Sequence, residues 1–521
     1  MPVHLRALVV LLIFSGVVFA VAKSAATECA MDEADFKRRR NLWFIVTVLA
    51  FVSHNFWLFM IITSMVLVIG RREESNPLAL FLSLVFAVPS ISARIPGMGM
   101  FNQLISLDYM RVLSIVLLVP AYFRVRTQVK EEGGTWNLAD FLLIGYVLVQ
   151  LGLRLQVDTL TNTLRYGIYS LLDVALPYYI ASRSLRNLRM FRDVMMSFVL
   201  ISMFFAIVGI FESIKYWLLY SDLPAALGLQ WDYGNYLGRS SLLRAQGTTG
   251  QPIALGYIFV VALSLHACIY CYVTKSKMIW WLGFALLFGG LIATVSRGPW
   301  VGAAVALFVF RLSGPRAFGG TTKAAVVVAA LIGVIMLSPF RDTVIDHLPF
   351  IGTVESENVI YRQRMLESSI AVILQNPWFG STDYVYQLIN LDLVIGGMVD
   401  IVNTYIGIAL ANGLVGLFTF VGVFAWSAIS IIVAMFKLPD PDCDERTIAQ
   451  GLLACLAGTA VTIATVSSIS VIPLVYWIVA GLGVGYAAMV RRKLAEGSLT
   501  LLKAPPLYMR QAMPGARSRA T

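Results

Sequence analysis

A chain of 521 residues that is 58% hydrophobic and only 13% charged, with a mean hydropathy of +0.78, cannot hide its apolar surface in a water-soluble fold. Soluble domains carry about 25% charged residues, and surface-to-volume scaling leaves each of them a polar shell to fill. The net charge of +11 and the isoelectric point near 9.4 do not mark a nucleic-acid binder, because the Lys and Arg residues stand in short clusters between apolar runs, as they do at the cytoplasmic ends of membrane spans.

The composition predicts an all-α, polytopic helical membrane protein. A span needs ~20 mostly apolar residues. In chain order the runs are 5–22, 41–53, 55–70, 77–92, 105–123, 138–155, 163–182, 194–215, 252–273, 279–296, 299–311, 323–339, 408–436, 447–469 and 471–490. The first has the length of a signal peptide's apolar core but precedes a polytopic chain, and reads as a retained anchor. Ser53-His54-Asn55 interrupts the run 41–70, which makes either two short spans or one tilted one, for a total of about 14–15 transmembrane spans.

Orientation follows from Lys and Arg in the short loops. Arg71-Arg72, Arg124/Arg126/Lys130, Arg183/Arg186/Arg189/Arg192, Lys275/Lys277, Arg311/Arg316/Lys323, Lys437/Arg446 and the tail from Arg491-Arg492-Lys493 occupy alternate loops. That parity predicts a cytoplasmic C-terminus and leaves the N-terminus open. It also assigns three features to the outer face: the loop 216–251, the turn Ser296-Arg297-Gly298, and the long segment 340–407. The last is acidic, with Asp342, Asp346, Glu355, Glu357, Glu367, Asp383, Asp392 and Asp400. Long loops in compact proteins are usually functional.

Five cysteines, Cys29, Cys268, Cys271, Cys443 and Cys455, make no disulfide framework. The CxxC of Cys268 and Cys271 lies within an apolar run without a second pair, and reads as small helix-packing residues.

Arginines on an outer face run against the positive-inside tendency. Arg239 and Arg244 stand in GRSSLLRAQGTTGQPIALGY, Arg297 in TVSRGPW, and Arg362 and Arg364 in YRQRMLESSIAVILQNPWFG. Each alone could pair with a local carboxylate or reach lipid headgroups. Several on one face suit a phosphate or diphosphate, because guanidinium gives planar, bidentate, permanently charged contacts. The run Gln246 to Pro252 is small, polar and conformationally permissive, as a ligand-wrapping loop would be.

The order of these motifs resembles the O-antigen ligase/O-antigen polymerase superfamily of bacterial membrane glycosyltransferases. R-x-x-G-x-x-x-x-P (Arg244, Gly247, Pro252), S-R-G-x-W (Ser296 to Trp300), R-x-x-x-L…N-P-x-x-G (Arg362, Leu366, Asn376-Pro377, Gly380) and NTYIGIALANGLVGL from Asn403 carry the resemblance, which covers about 240–430. It divides the chain into an N-terminal transmembrane bundle (1–240), a ligase/polymerase-like core (241–436) that includes the large periplasmic loop (340–407), C-terminal spans (437–490) and a basic cytoplasmic tail (491–521).

The resemblance implies transfer of a glycan from undecaprenyl diphosphate to an acceptor sugar hydroxyl at the periplasmic face of the bacterial inner membrane. It implies no nucleotide sugar, no metal and no cofactor. The partners are the undecaprenyl-diphosphate-linked glycan, an acceptor glycan and membrane lipid; a separate chain-length regulator is compatible with that chemistry. Charge grows on the leaving diphosphate, and preorganised arginines stabilise it electrostatically. By carry-over, Arg244, Arg297 and Arg362 are the expected catalytic arginines, with Asn403 and Asp400 from the closing motif. Arg239, Arg364, Gln251, Tyr405 and Ser296 are expected in substrate binding.

One position departs from the pattern. Ligases of the superfamily often place His before the Asn of the closing motif, where this chain has Val402, which cannot accept a proton. Asp400 and the outer-loop His347 are the nearest alternatives. The departure favours a polymerase of exopolysaccharide, capsule or O-antigen repeats over a ligase acting on lipid A-core. A transporter of the same lipid-linked glycans is the rival from another class, but it should show repeated halves, and none is visible here. Asp440, Asp442 and Asp444 imitate a metal-binding DxD but fall on the cytoplasmic side and read as a solvated loop. Asp173, inside a span, demands a partner, with Arg165 nearby in sequence and an ion pathway as the other option.

Overall fold

The computed structural model describes residues 1–97, 103–131, 136–230, 233–239, 242–269, 277–315, 356–391, 393, 399–440 and 443–497; the side chains of Arg239 and of 356–360 are not included. The predicted span 323–339, His347, Asp342, Asp346, Glu355, Asp392, Cys271, Asp442 and the tail beyond residue 497 lie outside the described residues.

The chain is a multi-pass helical membrane protein. Among the described residues eight helices are long and apolar enough to cross a membrane: α1 (Val3–Cys29), α5 (Tyr109–Glu131), α6 (Leu138–Val157), α8 (Leu188–Lys215), α10 (Pro252–Ile269), α15 (Thr404–Phe436), α16 (Asp444–Ile463) and α17 (Ile472–Ala495). The other helices are α2 (Glu33–Val52), α3 (Phe56–Gly70), α4 (Pro77–Leu84), α7 (160–183), α9 (Leu223–Ala226), α11 (Lys277–Ala293), α12 (Arg297–Leu312), α13 (Ser356–Gln375) and α14 (Tyr384–Ile389). Helices α8, α10 and α17 are buried along most of their length, whereas α1, α6 and α15 turn apolar sides outward, as lipid-facing helices do.

The run 41–70 resolves into two helices. Asn55 caps α3 by accepting from the Trp57 and Leu58 N–H groups, both at 3.0 Å, and His54 takes a left-handed φ of 50°. The His4 and His54 rings meet edge to face at 6.0 Å, so the start of α1 lies at the α2–α3 turn, at the end of α3 away from Arg71.

The predicted span 77–92 is a correction. Only Pro77–Leu84 is helical, and the chain then leaves the helix for an antiparallel hairpin, Ser92–Pro96 with Gln103–Asp108. Pro89 cannot donate to a helical ladder, and pairing the two strands satisfies backbone groups that an apolar surrounding would otherwise strand. Arg165 of α7 donates to the Leu104 and Gln103 carbonyls at 2.9 and 2.6 Å, and Tyr169 accepts from the Ser106 N–H at 2.6 Å. Arg165 is thereby used on the hairpin and does not serve Asp173. That carboxylate pairs instead with Arg111 at 2.8 Å, whose guanidinium lies 3.9 Å from the Tyr169 ring centre. Arg111 stands just before the π-helical turn Ser114–Leu118, and Asp173 lies within a second one, Leu171–Ala175. At the opposite end, buried Arg39 bridges Glu74 and Asp193, each at 2.5 Å, and ties α2 to α8.

Two smaller expectations concern packing. Cys268 is buried against the Cα of Gly451 in α16. Asp444 opens α16, where a carboxylate complements the positive end of a helix.

Helix α15 does not continue the expected span 408–436 in one direction. Gly413 has φ 65° and ψ −169° in its middle. Tyr405 and Phe420 have ring centres 6.3 Å apart, whereas a straight helix would separate them by roughly 22 Å along its axis. The chain therefore doubles back at Gly413: 404–412 is a short arm laid against the head of 414–436.

Candidate functional site

The first part of the site is built on Glu212, near the end of α8. Its carboxylate is fully buried and accepts from three backbone N–H groups: Leu219 at 3.1 Å, and Gln246 and Gly247 at 3.0 Å each. Sequence reasoning passed over Glu212, although a carboxylate at the end of an apolar run is a signal in itself. Around it, the Tyr233 hydroxyl donates to the Thr248 carbonyl at 2.5 Å, and the Gln246 amide donates to the Asn235 carbonyl. Gly250 has φ 66°, and a Cβ there would lie 2.9 Å from the Tyr233 ring. The loop expected to wrap a ligand is thus folded on Glu212 and Tyr233, with residues 245–250 buried and the Gln251 side chain exposed at the start of α10.

This anchored loop carries Arg244 to the end of α11. The Ala245 N–H donates to the Ala293 carbonyl at 3.1 Å. Arg244 donates through Nε to the Thr294 carbonyl at 3.4 Å and through an Nη to the Ser296 hydroxyl at 3.0 Å. Ser296 in turn donates to the Thr294 carbonyl at 3.0 Å. Val295 has a φ of 45°, a strained conformation for a β-branched residue, and it turns the chain sharply so that Arg297 begins α12. Trp300 locks the turn by donating to the Leu291 carbonyl at 3.1 Å. Gly298 lets α12 approach α16, since a Cβ there would collide with Thr465. Arg244, Ser296 and Arg297, far apart in sequence, therefore form one half-buried basic junction at the positive end of a helix, a place suited to an anion.

The second part is the closing motif. The Thr404 hydroxyl donates to the Val466 carbonyl at 2.7 Å, and Tyr405 to the Ala460 carbonyl at 3.0 Å. Ser467 donates to the Ile401 carbonyl at 2.6 Å and to the Asp400 carboxylate at 3.4 Å. Asp400 is exposed, and both its backbone groups are held by the Tyr361 hydroxyl of α13, at 3.2 and 3.3 Å. Asn403, expected among the catalytic residues, caps the arm: its side chain accepts from the Tyr405 and Ile406 N–H groups at 2.9 and 3.2 Å. Arg362 and Arg364 follow Tyr361 and are exposed. The backbone of Arg239 pairs with Leu242 in a two-residue strand, upstream of Arg244.

The turn 462–471 joins the two parts. Thr465 faces Gly298, Val466 and Ser467 hold the closing motif, and Ser470 donates to the Thr249 carbonyl at 2.8 Å. The expected spans 447–469 and 471–490 leave no turn here, but α16 ends at Ile463 and α17 begins at Ile472, so the stretch is a correction. Its only signal was TVSSIS, a cluster of small hydroxyl residues where a turn would need few.

The Asn-Pro-Trp-Phe-Gly turn has a defined task. The Leu414 N–H donates to the Pro377 carbonyl at 2.8 Å, Val415 to Trp378 at 3.1 Å, and Ser381 back to the Leu410 carbonyl at 2.8 Å. These bonds serve the last carbonyls of the 404–412 arm and the first N–H groups of 414–436, which a helix break leaves open. Gly380 and Gly413, both at positive φ, allow the two backbones to touch. The turn thereby fixes α13, and with it Tyr361, against the membrane helices.

Residues 282–421 match the family model described as O-antigen ligase. No curated protein matches the chain. The match spans Ser296, Arg297, Arg362, Asp400 and the closing motif, and it bears out the resemblance to the O-antigen ligase/polymerase superfamily. It supports a glycosyltransferase-type role on an all-α membrane scaffold, and it stops short of Arg244 and the turn 462–471.

Proposed function

We propose that the protein is a polymerase of lipid-linked polysaccharide repeat units, transferring glycan from undecaprenyl diphosphate to an acceptor sugar hydroxyl at the periplasmic face of the inner membrane. The observation that carries this reading is the hydrogen bond from Arg244 to Ser296, which brings the Arg244 guanidinium to the residue that precedes Arg297 at the start of α12. In the reaction the acceptor oxygen bonds to the anomeric carbon, the bond from that carbon to the diphosphate oxygen breaks, and the lipid diphosphate leaves with the electron pair. Arg244 and Arg297 would stabilise the charge as it grows, acting in a partly buried site where such contacts are strong. The acceptor proton needs a base. Asp400 is the carboxylate nearest the closing motif, exposed and oriented by Ser467 and Tyr361. Val402 stands where a ligase would offer histidine, which supports a polymerase over a ligase.

The test is glycan analysis of cells lacking the protein, complemented with wild type, Arg244→Ala or Arg297→Ala at matched membrane levels. The expectation is loss of long polymer, single repeats left on the lipid, rescue by wild type, and failure of both variants. Removing one preorganised donor typically lowers turnover by ~10²–10³. Long polymer stranded on the lipid carrier would replace the polymerase with a ligase. Repeats trapped on the cytoplasmic leaflet would replace both with a transporter. Normal glycan from both variants would refute the diphosphate site.

A further inference from the structure

Beside the doubled-back arm lies a second polar feature, of whose polar lining only Asn412 belongs to a motif. Between the α6–α7 pair and the Asn-Pro-Trp-Phe-Gly turn is a groove of about 330 Å³, lined by Gln150, Arg154, Tyr166, Thr382, Tyr384 and Asn412. Its chemistry is specific. Arg154 lies 4.6 Å over the Tyr166 ring and is neutralised by Asp158 at 3.3 Å, so the groove does not favour an anion. The Tyr166 hydroxyl donates to Gln150 Oε1 at 3.1 Å, which leaves the Gln150 NH2 group to donate to a ligand. Asn412 is 7% exposed, yet among the described residues its side-chain amide has no hydrogen-bond partner. An amide so placed, in a junction where the surrounding backbone groups are bonded, calls for a ligand with hydroxyl groups. Aromatic faces beside amides form the pattern that receives a sugar ring: the ring's C–H face packs on tyrosine while its hydroxyls bond the amides.

We propose that this groove is a subsite for the acceptor glycan. The proposal rests on the transferase reading above. Asn412 and Thr404 stand at opposite ends of the 404–412 arm, roughly 12 Å apart at 1.5 Å per residue, the length of a few sugar rings, and the adjacent Ser467 and Ser468 hold Asp400 and Thr404. Thr465 puts Arg297 and Gly298 at the Asp400 end. The acceptor hydroxyl must reach the anomeric carbon from a direction the diphosphate does not occupy. A glycan lying in the groove reaches Asp400 from the end of the arm opposite Gly298 and Arg297, so the groove suits the acceptor rather than the donor.

The test uses the full-length protein in detergent and, as probe, the repeat-unit oligosaccharide released by mild acid from the lipid-linked pool of cells lacking the protein. Binding is read by saturation-transfer NMR and titration. Wild type and Arg244→Ala are expected to bind alike, while Tyr384→Ala and Gln150→Ala weaken binding about tenfold, the factor carried by one contact of ~1.4 kcal/mol. Tyr384→Phe, which keeps the ring, should retain most of the binding and controls for folding. In cells, Tyr384→Ala should shorten the polysaccharide without releasing it from the membrane. No binding by wild type, unchanged binding by both groove variants, or binding abolished by Arg244→Ala alone would overturn the proposal. The transferase reading fails separately, if cells lacking the protein make normal polysaccharide.

Discussion

Glu212→Ala tests whether the buried carboxylate builds the site. One of its oxygens accepts from both the Gln246 and Gly247 N–H groups, and the other from Leu219. Alanine leaves three buried donors without an acceptor, at ~1–3 kcal/mol each, so even the low end is about 3 kcal/mol. Glu212→Gln can keep its oxygen on the Gln246 and Gly247 pair but then sets an NH2 group against the Leu219 N–H, a loss of about 1–3 kcal/mol. Melting of the purified protein in detergent should therefore fall in the order wild type, Gln, Ala. The same loop sets Arg244 on Ser296, and a misplacement of ~1 Å at a reacting group can cost ~10²-fold. Polymer made per folded molecule should follow the same order, with Arg244 itself untouched. If Glu212→Ala melted with wild type and made normal polymer, the carboxylate would not hold the loop.

Gly413→Ala should loosen the junction between the arm and the Asn-Pro-Trp-Phe-Gly turn. Its φ of 65° and ψ of −169° suit glycine, and a Cβ would collide with the Trp378 carbonyl. The conformation alone costs ~1–3 kcal/mol. Limited proteolysis should then cut near α13 faster than in wild type; an unchanged digestion pattern would refute the coupling. Arg39→Met strands Asp193 as a buried charge and leaves Glu74 only Arg38, at 3.5 Å, a loss of ~3–5 kcal/mol. Replacing all three residues with apolar ones should recover most of the melting temperature. A triple variant as unstable as Arg39→Met would show that the pair geometry itself stabilises α2 against α8.

The arginine motifs were legible one by one, because each is a short run with an unusual charge in an apolar setting. Their joining was not. Arg244 finds Ser296 because Glu212 holds the loop and Val295 turns the chain, and neither residue belongs to a recognisable pattern. Asp173 shows the same limit from the other side: spacing offers Arg165 as a partner, with an ion pathway as the alternative, yet Arg165 serves the hairpin carbonyls and Arg111 from α5 pairs with Asp173. Asn403, expected among the catalytic residues from its place in the motif, also caps the arm, a role set by the start of an arm whose direction only its neighbours decide. The hairpin after α4 was hidden because an apolar run of that length reads as a span until Pro89 and the paired strands are seen together.

Composition alone determined that the chain lives in a membrane and is helical, because a backbone surrounded by lipid must satisfy its own hydrogen bonds, and a helix does so without regard to partners. The tertiary structure decided where that rule is broken. At Gly413, at Val295 and at the turn 462–471 the local ladder stops, and open backbone groups are met by residues distant in sequence: Pro377 and Trp378, Arg244, and Thr404. Those meetings are set by how helices pack against one another rather than by any run of neighbours, and the candidate site consists of them.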